Sequence, residues 1–187
     1  MTKIAVFASG SGSNFQAIAE CIERGELNAK IELVVTDKPG AFVVTRAQKF
    51  NIPVLELTPK TFDSKAAYEQ AVIKALREKD VEWIILAGYM RLISDTLLAA
   101  FPNRIINIHP SLLPSFPGKD AISQAFEHGV KVTGVTVHYV DAGMDTGPII
   151  AQAAVEVAGT LDETEKLIHA TEHQLYTKTL QQLFAQK

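Results

Sequence analysis

Five short runs, Ile4 to Ala8, Ile31 to Thr36, Val54 to Leu57, Trp83 to Ala87 and Ile105 to Ile108, are mostly apolar with little polar alternation. A strand apolar on both faces must be covered on both faces, which is the pattern of a parallel sheet packed between helices. Helical patterns separate the runs: Phe15 to Arg24, closed by Gly25, then Ala41 to Phe50, Ser64 to Lys79 and Ser94 to Ala100. The alternation predicts an α/β fold: an open, mostly parallel, Rossmann-like sheet with helices on both faces and right-handed crossovers. A length of 187 residues suits one domain, 1–187.

The pattern changes after Pro110. Beyond a Pro-rich loop and a short helix near Ala121 to Glu127, two longer strands, Val132 to Val140 and Pro148 to Val157, flank a glycine-rich turn and predict a hairpin-like extension of the sheet. Thr160 and Glu163 have capping-box spacing, and a helix is expected from there to about Phe184.

Composition narrows the function. The chain is 47% apolar and 21% charged, which argues against a disordered, collagenous or coiled-coil chain. The formal charge of −3 is spread along the chain and no basic stripe is present, so a nucleic-acid partner is not expected. Cys21 is the only cysteine, excluding an internal disulfide and a Cys-based zinc site. The first residues lack a secretory apolar segment and no run approaches ~18 apolar residues, so a cytoplasmic protein outside the membrane is expected.

Three segments carry chemistry. Ser9-Gly10-Ser11-Gly12-Ser13-Asn14 lies between the first strand and the first helix, where free amides at a helix start bind an anion such as phosphate. Gly10-x-Gly12, with Asp37 ending the second strand, begins a dinucleotide fingerprint, but Phe15 fills the third-glycine position. A tight turn with Ser13 or Asn14 as a simple N-cap is the third reading. Asn107 and His109 end the fifth strand two residues apart, hence on one face, where an amide and an imidazole can meet one developing oxyanion. The turn Asp141-Ala142-Gly143-Met144-Asp145-Thr146-Gly147 could bend enough to aim Asp145 at His109, which would raise that histidine's pKa above about 6.5. His138 could face the same cleft.

Other patterns compete. His169-Ala-Thr-Glu172-His173 matches an inverted zinc-protease motif, although too little sequence follows to supply the usual third ligand, and no metal is expected. Ser111 beside His109 hints at a serine hydrolase, but no nucleophile elbow is present. Cys21 reads as a buried structural thiol.

Taken together, the Ser9–Asn14 loop, Ala87-Gly-Tyr-Met90-Arg91-Leu92-Ile93, Asn107-Ile-His109-Pro-Ser-Leu-Leu-Pro114, Gly134-Val-Thr136-Val-His138 and Met144-Asp145-Thr-Gly-Pro148 resemble the folate-dependent formyltransferase family. The glycine loop resembles its phosphoribosylglycinamide branch, and the likeness runs from Ile4 to the last helix. The resemblance implies formyl transfer from 10-formyltetrahydrofolate, a co-substrate, to the amine of phosphoribosylglycinamide in purine synthesis. It implies catalytic roles for Asn107, His109 and Asp145, with ribotide contacts from Gly12, Ser13, Asn14 and Glu172. Folate contacts would be Lys65, Met90, Arg91, Leu92, Ile93, Asn107, Asp141, Ala142, Gly143 and Met144. It further implies a ribotide half, about 1–100, a catalytic and folate half, about 101–187, and small-molecule partners, with monomer and homodimer both open. The rival readings are a formyltetrahydrofolate hydrolase, a formyltransferase acting on initiator aminoacyl-tRNA, and a non-catalytic nucleotide-binding module.

Overall fold

The computed structural model describes residues 1–185. Residues 186 and 187, which close the expected 1–187 domain, lie outside the described residues. In chain order the elements are β1 (Thr2–Phe7), α1 (Ser13–Glu23), β2 (Ala29–Thr36), α2 (Phe42–Lys49), β3 (Val54–Glu56), α3 (Lys65–Glu78), β4 (Trp83–Leu86), α4 (Asp95–Ala100), β5 (Ile105–His109), α5 (Ala121–His128), β6 (Val132–Tyr139), β7 (Ile149–Glu156) and α6 (Leu161–Phe184). The strands form one sheet in the order β3-β2-β1-β4-β5-β6-β7. The first five are mutually parallel, whereas β6 runs against both β5 and β7. This is the expected mostly parallel open sheet with its hairpin extension.

The two faces of the sheet explain the apolar runs. Ile4, Val6, Val34, Ile85, Ile106, Ile108, Val135 and Val137 face one core, closed by Phe15 and Ile18 of α1, Val43 of α2, and Ile168, Tyr176, Leu180 and Phe184 of α6. Ala5, Phe7, Leu33, Val35, Ile84, Leu86 and Ile105 face the other, closed by Tyr68, Val72, Ile73 and Leu76 of α3 and Leu97 of α4. Burying one such large side chain contributes roughly 1.5–3 kcal/mol. Strands covered on both sides therefore have no use for polar alternation.

The second core ends at Ile105. Strand alternation puts Asn107 and His109 on the same face as Ile105. Their antiparallel partners are His138 and Thr136 of β6. Meanwhile β1 leads into α1 on one face, while β4 is reached from α3 on the other. The crevice at the carboxyl ends of β1 and β4 is thus a topological switch point, where open α/β sheets bind ligands.

Two local details differ from the sequence reading. The N-cap of α1 is Gly12, in a left-handed conformation and without a side-chain cap, so neither Ser13 nor Asn14 caps the helix. At the start of α6 the Thr160 hydroxyl accepts from the Glu163 amide at 3.2 Å. The reciprocal bond from the Glu163 side chain is absent among the described residues; the Thr164 hydroxyl instead accepts from the Ala158 amide (3.1 Å) and steadies the entry.

Candidate active site

The loop after β1 is shaped by packing against α2. Gly12 has φ 76, and a Cβ there would lie 2.6 Å from Val43 Cγ2, so only glycine fits. The Val43 amide donates to the Gly10 carbonyl (3.1 Å), and Arg46 Nε donates to the Ser11 carbonyl (2.7 Å). The loop backbone is thereby held from outside, and the first amides of α1, which have no intrahelical acceptor, stay free for an anion. The Ser13 hydroxyl likewise makes no hydrogen bond among the described residues. Phe15 at the third-glycine position is fully buried, and Asp37 accepts a 2.6 Å bond from the Ser9 hydroxyl, which ends its candidacy as a free ribose-binding acid.

Glu172 reaches this loop from α6. Its Oε2 accepts from Asn14 Nδ2 at 3.3 Å and from His169 Nδ1 at 3.2 Å, leaving Oε1 without a protein partner among the described residues. Asn14 Oδ1 is buried and unpaired. The bond to Glu172 raises the His169 pKa, whereas burial, the leading cause, lowers that of His173. With His169 bonded to Glu172, and with no cluster of three or more His, Cys, Asp or Glu gathered for a metal among the described residues, the zinc-motif reading loses its geometry.

The second cluster stands on β5. Asn107 is half-buried, and its amide makes no side-chain hydrogen bond among the described residues. His109 is buried; its Nε2–H donates to the Phe116 carbonyl (2.9 Å), while Nδ1 lies 3.6 Å from Asp145 Oδ2. Asp145 Oδ2 also accepts from the Gly118 amide (2.8 Å), and its Oδ1 is 3.9 Å from His138 Nε2. The structure thus brings Asn107, His109, His138 and Asp145 to one place. The contacts of Phe116 and Gly118 were invisible in the sequence, because that loop has no periodicity and its contact atoms are backbone.

The bend that aims Asp145 differs in detail from expectation. The left-handed residue is Asp145 itself, with φ 56. Gly147 serves close approach instead, since a Cβ there would sit 1.7 Å from the Tyr139 carbonyl oxygen. Asp141 accepts from the Thr146 hydroxyl (2.7 Å) and the Gly143 amide (2.9 Å), which together hold its carboxyl below the usual range.

The remaining expected residues are distributed unevenly. Met90, Leu92 and Met144 are exposed apolar side chains, and Ala142 and Gly143 are exposed beside Met144. Arg91 lies over the Tyr68 ring at 5.5 Å with its Nε buried and unpaired. The Ile93 side chain is in the second core, so only its backbone can meet a ligand. Lys65 is exposed at the start of α3, with no hydrogen bond or ion pair among the described residues to join it to the others. Ser111 is fully buried, and its hydroxyl donates to the Ser115 carbonyl (2.6 Å), so it is not a poised nucleophile. Cys21 is buried, as expected of a structural thiol.

A doubly wound sheet with an Asn-x-His strand end facing an aspartate is the arrangement that the resemblance to the folate-dependent formyltransferases implies, and comparison with known proteins places the chain in that class. Residues 2–180 match the family described as formyl transferase, and the chain belongs to that family. It is 57% identical over 185 residues to phosphoribosylglycinamide formyltransferase of Bacillus subtilis (strain 168), covering 98% of this chain and 95% of that one. The crystal structure of phosphoribosylglycinamide formyltransferase from Bacillus halodurans superposes with a TM-score of 0.96 at 53% identity, covering 99% of this chain and 96% of that one. A further relative, the trifunctional purine biosynthetic protein adenosine-3 of Homo sapiens, is 36% identical over 184 residues, covering 96% of this chain and 18% of that protein.

Proposed function

We propose that this chain is an enzyme that transfers the formyl group of 10-formyltetrahydrofolate to the amine of phosphoribosylglycinamide, giving the N-formyl product and tetrahydrofolate in purine biosynthesis. The observation that carries the reading is the Asn107–His109–Asp145 cluster at the carboxyl end of β5, together with the bond that joins Glu172 to Asn14 of the glycine loop after β1. The ribotide phosphate lies on the amides of Gly12, Ser13 and Asn14, and the free Oε1 of Glu172 receives the glycinamide end. The folate lies against Met90 to Ile93 and the 141–144 turn, with Asn107 between the two substrates and Lys65 toward the folate tail.

The amine attacks the formyl carbon, and the resulting oxyanion is met by the Asn107 amide and by His109. A ring protonated at both nitrogens satisfies the Phe116 carbonyl and Asp145 together. Donation to the oxyanion therefore requires His109 to exchange one of those partners. Asp145 orients the ring, and it or a water carries the proton from the attacking amine to the departing folate nitrogen as the formyl C–N bond breaks. No covalent enzyme intermediate forms. Both partners are small molecules, and a cytoplasmic setting suits them. The chain works as one domain, 1–187, with the ribotide half about 1–100 and the catalytic half beyond it.

The test is to incubate the protein with 10-formyltetrahydrofolate, with and without the ribotide. Ribotide-dependent release of tetrahydrofolate is expected, falling by ~10²–10³ in His109→Ala or Asn107→Ala, the usual loss of an oxyanion donor. Release that ignores the ribotide would make the protein a hydrolase, and no release at all would overturn the enzymatic reading.

A further inference from the structure

Asp37 is left unused by this mechanism, yet it is a carboxylate only 8% exposed at the end of β2. Its partner is Ser9, 3% exposed, two residues past the end of β1. The Ser9 hydroxyl donates to Asp37 Oδ1 at 2.6 Å, and Ser9 Oγ in turn accepts from the Met90 amide at 2.9 Å. The Ser9 amide donates to the Gly88 carbonyl at 3.0 Å. One small side chain thus ties together the segments that follow three adjacent strands, β2, β1 and β4.

The chemistry of the hydroxyl makes this tie directional. A serine has one proton to give and lone pairs to receive. An ionised carboxylate can only accept, so Asp37 captures the hydroxyl proton and turns the lone pairs toward Met90 N–H. A short bond to a charged acceptor is stronger than a neutral one, which fixes the rotor. An asparagine could present its amide NH2 instead and leave the rotor free to turn.

The two segments so joined are the ones assigned above to different substrates. Ser9 opens the loop whose far end, Gly12 to Asn14, is assigned to the ribotide phosphate, and Met90 opens the lip assigned to the folate. We propose that Ser9 and Asp37 are positioning residues that couple the two subsites, so that each substrate binds more tightly when the other is in place. The inference rests on the proposed function for the assignment of the two subsites. Ordering one loop through this bond pre-orders the other, and thermodynamic linkage makes the gain equal in both directions.

The experiment is a binding cycle by isothermal titration with two ligands that do not react together, the ribotide and tetrahydrofolate. The affinity of each is measured with the other absent and then saturating. In the wild-type protein the ratio of the two affinities is expected to be at least about fivefold, at the lower end of common coupling factors. In Ser9→Ala it is expected to fall to within about twofold of unity. Loss of packing alone would weaken both affinities without changing their ratio.

Because Ser9→Ala leaves a buried carboxylate without its donor, Ser9→Ala/Asp37→Asn is measured beside it and serves where the single variant does not fold. Amide hydrogen exchange gives a second readout: exchange at Met90 rises at least tenfold in either variant, while that at Phe7 in β1 is unchanged. A wild-type ratio near unity with both ligands bound overturns the coupling and leaves the proposed function standing. Variants that keep the wild-type ratio overturn the role of Ser9 and Asp37. A wild-type protein that binds neither ligand overturns the proposed function, and the coupling falls with it.

Discussion

At Glu172 a single carboxylate oxygen serves two neighbours, Asn14 and His169, and the histidine registers the arrangement. His169 takes up its proton more readily than a free histidine, because it is hydrogen-bonded to Glu172. Its folded pKa lies above the unfolded value of about 6.5. The stability this pairing contributes is therefore fully present below that value and is lost as pH rises through the folded one. His173, one residue past Glu172, behaves oppositely: burial lowers its pKa, so stability is present above about 6.5 and is lost as pH falls from there. Because the two trends oppose each other in a global unfolding curve, the measurement must be resolved by residue. An NMR titration of the imidazole protons is expected to give midpoints above 6.5 for His169 and below it for His173, and Glu172→Gln should bring His169 down. A His169 midpoint that does not move in that variant would remove Glu172 as its cause. The meeting of His109 with Asp145, and the shared strand face of Asn107 and His109, were legible in the sequence because a strand end and a turn can be read from their patterns, whereas Glu172 enters only through the family resemblance. Ser9 with Asp37, and Phe116 with His109, were not legible, because those bonds depend on where loops meet in space.

Secondary structure is legible in the sequence where burial on both faces leaves no room for polar residues. Runs such as Ile84 to Leu86, buried against helices on both faces, could be little else than central strands. The turns were harder, since their conformation is set by what they pack against. Gly12 is the clearest case: phosphate chemistry suggests a glycine there, but the structure adds that α2 demands one. An alanine at φ 76 carries the left-handed penalty of roughly 1–2 kcal/mol. Its Cβ would also push into Val43, which is fully buried and cannot give way without disturbing the first core. Gly12→Ala is thus expected to destabilise the fold by about 2 kcal/mol or more in urea unfolding. It should raise the ribotide KM further than it lowers kcat, because the loop amides move while Asn107 and His109 on β5 do not. An unchanged unfolding midpoint would show that the contact with α2 is slack.

Over the whole molecule, the proposed ribotide site is made by the two ends of the chain. Asn14 lies in the first turn of the first helix and Glu172 in the last helix, yet they share a hydrogen bond across a sequence separation of 158. The bond exists because α6 packs Ile168, Tyr176, Leu180 and Phe184 into the same core as Phe15 and Ile18 of α1. Tyr176 extends the connection, its hydroxyl donating to the main-chain carbonyls of Leu86 in β4 and Ile106 in β5 at 2.7 and 3.2 Å. Docking α6 and completing the site are consequently one event, and a ligand that spans Gly12 to Asn14 and Glu172 stabilises the contact between chain ends as well as the loop. Binding to the folded state alone adds about 2.7 kcal/mol when free ligand is 100 times its Kd. For a domain of this size each kcal/mol moves Tm by roughly 2–4 °C, so saturating ribotide is expected to raise Tm by roughly 5–10 °C. The whole chain should move together in one calorimetric transition, because the first core joins Phe15 and Ile18 of α1 to Ile168, Tyr176, Leu180 and Phe184 of α6. Two transitions, with only the first shifted by ribotide, would mean that the halves fold separately and that α6 is not part of the ribotide site.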